Sequence, residues 1–206
     1  MFSARLFDCT EPIMTDNIYT ATSVDLSNPN AAQATFYVVS TQKFVTLFIA
    51  TLGMYALYWM YKNWSLYQKA TGEKIWPVMR GLFSIFFVHS LFTHVDRKIS
   101  AGERSYAWSP RSQATLFVVL VIIGRILDKA SAKNLGSPIT DLLSILTIPA
   151  LIWVMLPAQN AINLAENDPD GMSNSRFTGA NYAWMAGGIV LWILAFIGIF
   201  LPDSAS

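Results

Sequence analysis

Polar and apolar positions alternate along this chain in long blocks. Runs free of Asp, Glu, Lys and Arg cover 44–61 (18 residues), 81–95 (15), 112–124 (13), 142–165 (24) and 177–202 (26). A helix rises about 1.5 Å per residue, so crossing about 30 Å of hydrocarbon takes about 20 apolar residues. The first, fourth and fifth runs therefore predict transmembrane helices over about 43–62, 141–162 and 179–201. The third reaches span length, about 112–128, once Arg125 snorkels from near its end. Backbone groups in lipid must be satisfied within the segment, which a helix achieves and a lone strand does not. The pattern predicts an all-α polytopic bundle of four transmembrane helices, with 43–206 as one membrane domain.

The second run is interrupted by polar residues. Pro77 suits a first helical position, where a missing N–H costs nothing. Arg80, Ser84, His89, Ser90, Thr93, His94, Asp96 and Arg97 then break the apolar stretch without forming one narrow face. Two arrangements compete: an amphipathic helix over about 77–96 lying in the headgroup plane, or a fifth span. If it lies flat, Lys62, Lys69, Lys74, Arg80, Arg97, Lys98, Arg104 and Arg111 share a compartment with Arg176, nine of the 14 bases. If it spans, the bases divide evenly and the positive-inside bias disappears. The flat arrangement is adopted. It puts both termini outside and the basic elbow and the 166–176 loop in the cytoplasm, but leaves Lys129 and Lys133 outside.

Composition agrees with a lipid-solvated surface. The chain has 206 residues, 53% hydrophobic and 13% charged, with a mean hydropathy of +0.40. A soluble domain carries roughly 25% charged residues. A net charge of +1 gives no basic field for nucleic acid, which is excluded as a partner. The single Cys9 excludes an intrachain disulfide or a cysteine metal cluster. Residues 1–42 are polar and read as a disordered tail. They show no basic-then-apolar signal sequence, and Met14 is a second plausible start.

At the end of the first run Tyr55, Tyr58, Trp59, Tyr61 and Trp64 crowd together beside Lys62 and Lys69. Rings with a polar tip favour the headgroup layer, so these are read as interface anchors, and a stripe on one helix does not make a cage for a cation. Gly53, Tyr55, Tyr58, Trp59, Tyr61, Asn63 and Trp64 together resemble the Gly-x-Tyr-x-x-Tyr-Trp-x-Tyr-x-Asn-Trp ending of the first span in small, uncharacterised bacterial multi-pass membrane proteins. The segments LPAQNAIN (156–163) and SNSRFTGANYAW (173–184) are similar to segments of some of those proteins. The resemblance implies a bacterial inner-membrane location and carries over no catalytic or binding residue.

Few residues are arranged for chemistry. His89 and His94, with Asp96 nearby, are the only histidines; five apart, they diverge by about 140° on a helix, which disfavours a metal pair. Arg125 and Asp128, three apart, are placed to neutralise each other near a helix end. Pro149 and Pro157 should kink the third span. Beyond the second proline, Gln159, Asn163 and Glu166 share a face, with Asn160 beside them. These residues are the candidates for a polar path, against a bland reading as a polar helix end. The ENDPDG run (166–171) starts like a calcium loop, but Phe177 occupies the position that requires a bidentate Glu, so a turn is expected. Ala183, Gly187 and Gly198 offer a small-residue seam for packing in the bundle or in a homo-oligomer. No metal or other cofactor is expected. The chain reads as a non-enzymatic scaffold, sensor or regulator, with lipid and a further copy or a neighbouring membrane protein as partners; the alternative is a small transporter or channel.

Overall fold

A computed structural model describes residues 34–200, without the side chains of residues 199 and 200. All of these lie in the second of two compact units, Gln33–Ser206. The predicted tail therefore falls largely outside the described residues. Its last part is not a tail: residues 37–40 are irregular chain leading to a helix at Thr41, and Phe36 and Val39 are fully buried.

The described residues form an all-α unit without strands. Its helices are α1 (Thr41–Ala50), α2 (Tyr55–Thr71), α3 (Pro77–Leu82), α4 (Ser84–Ala101), α5 (Pro110–Ser131), α6 (Ile139–Ala165) and α7 (Gly179–Phe200). Of these, α6 and α7 are long and apolar enough to cross a membrane.

The predicted first span is not one helix. It breaks after Ala50, where Leu52 (φ 51°) and Gly53 (φ 79°) take successive left-handed conformations. Thr51 serves both sides of the break: its Oγ1 donates to the Leu47 carbonyl (2.8 Å) and accepts the Tyr55 N–H (3.0 Å). The chain then doubles back. Tyr55 packs edge-on against Phe44 and Phe48, Trp59 against Phe44, and Tyr67 stacks on Phe36. Residues 36–67 thus form a helical hairpin. At about 1.5 Å per residue, the ten residues of α1 reach about 15 Å, half a hydrocarbon core.

This reversal also relocates the aromatic residues predicted as interface anchors. Trp59 and Trp64 are fully buried and Tyr55 nearly so, within the core formed with α4 and α6; Tyr58 is half-buried, and only Tyr61 is exposed. The predicted interfacial helix divides at Phe83 (ψ 40°) into α3 and α4. Val88, Leu91, Phe92, Val95 and Ile99 recur at helical spacing and turn most of α4 into the core. Only its first turn and α3 keep an apolar outer surface, with Trp76, Val78, Leu82, Phe83 and Phe86 exposed.

α5 and α6 form a second, longer hairpin. The end of α6 turns one face into the core through Ile152, Met155, Ala158, Gln159, Ile162 and Asn163, with Trp153 exposed on the other, whereas Ile139, Leu142, Leu143 and Leu146 near its start are exposed, as are Ile122, Ile123 and Ile126 of α5. α6 runs unbroken through Pro149 and Pro157. α7 touches α1 where Gly188 meets the Ala50 carbonyl; a Cβ there would lie 1.9 Å from that oxygen. The Trp192 indole donates to the Ile49 carbonyl beside it (2.8 Å). Within this chain Ala183, Gly187 and Gly198 form no packing seam: they are exposed, and a Cβ on either of these glycines would meet nothing within 4 Å.

Candidate functional site

The amide row foreseen at the end of α6 exists, but it binds the chain itself. Asn163 grips Val39 from both sides, Oδ1 accepting its N–H (3.2 Å) and Nδ2 donating to its carbonyl (3.0 Å). Gln159 Nε2 donates to the Tyr37 carbonyl (3.2 Å) and to Asn163 Oδ1 (2.7 Å), while its Oε1 accepts the Trp59 indole N–H. Glu166 Oε1 accepts the N–H groups of Thr35 (3.2 Å) and Phe36 (2.9 Å). Asn63 of α2 accepts the Tyr37 N–H (3.0 Å), and Asn174 donates to the Val38 carbonyl (2.8 Å). Seven hydrogen bonds from five side chains thus hold residues 35–39.

This segment runs between helices with no neighbouring strand, so its buried amides need side-chain partners. The clamp is anchored in turn by charge. Lys98 of α4 donates to Glu166 Oε1 (2.7 Å) and to Thr35 Oγ1 (2.8 Å). Arg104 donates to the Leu164 carbonyl (2.6 Å), placing a cation at the negative end of α6. Lys43, only 2% exposed, donates to Asn174 Oδ1 (2.7 Å) and the Arg176 carbonyl (2.6 Å); burial lowers its ammonium pKa. Sequence reading missed Asn63, Lys43, Lys98 and Asn174, which come from four separate segments.

The remaining candidates are dispersed. Asn160 lies apart from the clamp, 3.4 Å from Thr41 Oγ1 on an open cleft shared with Tyr106 and Asp170. Asp128 accepts from Ser144 across the α5–α6 hairpin and forms no ion pair with Arg125, correcting the expected pairing. In the 166–171 turn Asp168 accepts the N–H groups of Met172 (2.9 Å) and Ser173 (2.8 Å). Burial raises its pKa, but these bonds outweigh it and hold the carboxyl below the usual range. Gly171, at φ 65°, brings the loop onto Val39, where a Cβ would lie 2.5 Å from the backbone.

His89 and His94 border one cavity between α4 and α5, with Ser90, Thr93, Arg97, Arg111 and Thr115. His89 Nε2 lies 3.2 Å from Thr115 Oγ1. His94 stacks near Tyr67, with ring centroids 4.5 Å apart. The Tyr67 hydroxyl donates to Glu73 (2.7 Å), so its oxygen accepts from His94 Nδ1 (3.2 Å). Burial and the Glu73 partner push the phenol up to about 12, while burial lowers the His94 pKa. Asp96 turns away to the Trp108 indole (3.0 Å). Among the described residues no three His, Cys, Asp or Glu side chains are grouped to hold a metal. No family model, curated protein or solved structure matches this chain.

Proposed function

We propose that the chain is an integral membrane protein with a non-enzymatic scaffolding, sensing or regulatory role. The observation that carries the membrane reading is α7: Gly179–Gly198 has a mean hydropathy of 1.7 and is only 6% buried, and an apolar surface of that kind is stable in lipid and not in water. The exposed aliphatic faces of α5 and α6 extend the same surface. The scaffold reading is favoured over a polar path because Gln159 and Asn163 are fully buried and their hydrogen-bonding groups are occupied by residues 37–39 and Trp59. The location follows the resemblance of the 53–64 segment to bacterial inner-membrane proteins.

The doubling-back of α1 and α2 changes the proposed topology. This hairpin dips into the bilayer and returns, and α5, α6 and α7 cross it. Ten bases from Lys43 to Arg111 and at Arg176 then lie on the cytoplasmic side, and only Arg125, Lys129 and Lys133 lie outside. That distribution obeys the positive-inside rule better than four crossings do. The test is impermeant maleimide labelling of single cysteines in a Cys9→Ser background in spheroplasts. Lys133→Cys should react from outside, whereas Ala34→Cys, Ser105→Cys and Ser173→Cys should react only after permeabilisation. External labelling of Ala34→Cys with Ser105→Cys protected would restore a crossing at 43–62. Recovery of the protein in a detergent-free supernatant would overturn the membrane reading itself.

A further inference from the structure

The cavity between α4 and α5 has features of a ligand site. Its volume is about 330 Å³, and Arg97 enters it from α4 and Arg111 from the first turn of α5. Neither guanidinium has a hydrogen-bond or ion-pair partner among the described residues. Other bases of this region are engaged: Lys98 by Glu166, Arg104 by the end of α6, and Arg80 over the Trp64 ring at 4.3 Å. Asp96, next to Arg97 in the chain, is held by Trp108. Of the other lining groups, the Thr93 hydroxyl donates to the His89 carbonyl (2.8 Å), while the hydrogen-bonded His89–Thr115 pair keeps one N–H or O–H for a bound oxyanion. Two guanidiniums without partners on one cavity, with the His89–Thr115 pair beside them, match the chemistry of a phosphate.

The surroundings identify which phosphate. The His89–Thr115 contact fixes the register of the two antiparallel helices. Away from the arginines both helices become apolar on the outside: Phe86, about three turns before Arg97 on α4, is 71% exposed, and Leu116 and Val119, about one and a half and two turns beyond Arg111 on α5, are 42% and 44% exposed. A soluble phosphate would gain nothing from that end. We propose that the groove binds one anionic phospholipid, its phosphate between Arg97 and Arg111 and an acyl chain along Phe86, Leu116 and Val119. The proposal rests on the membrane reading above, and in that topology the basic end lies at the cytoplasmic headgroup level.

Native mass spectrometry of the full-length protein in detergent, titrated with phosphatidylglycerol or phosphatidylcholine, tests it. One phosphatidylglycerol should be retained at about tenfold lower concentration than phosphatidylcholine. Arg97→Gln/Arg111→Gln should abolish that preference, whereas Lys129→Gln/Lys133→Gln, with the same loss of charge, should keep it. If the double variant fails to fold by circular dichroism, Arg111→Gln alone should halve the preference or more. Equal retention of both lipids by the parent protein overturns the site while leaving a membrane protein. Stabilisation of the parent but not the double variant by inorganic phosphate, without lipid preference, overturns the lipid as its source. Retention of neither lipid by a chain that stays monodisperse without detergent overturns the membrane reading as well.

Discussion

Asn160 and Asn163 are three residues apart and chemically identical, yet their surroundings predict opposite sensitivities. Asn163→Leu leaves the N–H and carbonyl of Val39 buried without partners and removes an acceptor from Gln159. Each orphaned buried group costs about 1–3 kcal/mol, and about 1 kcal/mol moves the midpoint of a chain this size by roughly 2–4 °C. A fall of roughly 5–15 °C in thermal midpoint is expected in detergent, followed by tryptophan fluorescence. Asn160→Leu, on its open cleft, should stay within about 0.5 kcal/mol of the parent. A second residue-scale effect concerns pH. Burial lowers the His94 pKa below its ordinary 6.5, so the unfolded chain binds the proton more readily than the folded one. Stability should therefore fall as pH drops from 7 toward 5, and His94→Gln should flatten that slope in the same thermal assay. Asp168 works in a separate window, its contribution being lost only as pH falls below the ordinary carboxylate range.

Elements show where sequence patterns carry information and where they do not. The apolar runs predicted 112–128, 141–162 and 179–201, and α5, α6 and α7 occupy Pro110–Ser131, Ile139–Ala165 and Gly179–Phe200. Run length encodes helix length well. It does not encode direction: most of α1, the turn at 51–54 and the start of α2 share the apolar run 44–61, and Gly53 is the sequence mark of the reversal. Helical spacing correctly put Gln159, Asn163 and Glu166 on one face. Their partner was illegible, because backbone N–H and carbonyl groups carry no side-chain signature. The small residues of α7 make a related point: periodicity finds a stripe but not the neighbour that uses it, and within this chain the close approach falls at Gly188. Gly188→Ala forces a Cβ to 1.9 Å from the Ala50 carbonyl, so α7 must move or α1 must yield. Overpacking of this kind costs about 1–3 kcal/mol. Thermal stability should drop accordingly, with faster proteolysis near the α7 contact, while Gly187→Ala and Gly198→Ala change little, having nothing within 4 Å.

In the whole molecule, residues 35–39 add polar ties among helices that also share one apolar core. They are hydrogen-bonded to Asn63 of α2, to Gln159, Asn163 and Glu166 at the end of α6, and to Asn174 in the loop before α7. Lys98 adds α4 by holding both Glu166 and Thr35. Phe36 and Val39 supply apolar contact, each buried side chain contributing about 1.5–3 kcal/mol. Two shortened chains isolate this contribution, one starting at Gln33 and one at Ser40. They differ by seven residues, and both lack everything before residue 33. The longer chain should give a cooperative thermal transition in detergent. The shorter one leaves Gln159, Asn163 and Asn63 buried with fewer partners and Glu166 facing only Lys98, so its midpoint should lie at least about 10 °C lower, or the protein should aggregate. Helix content by circular dichroism should change less than the midpoint, because α5 and α6 pack on each other without this segment. Equal midpoints for the two chains would mean that the helices hold together by direct packing alone, and the polar row on α6 would then need another role.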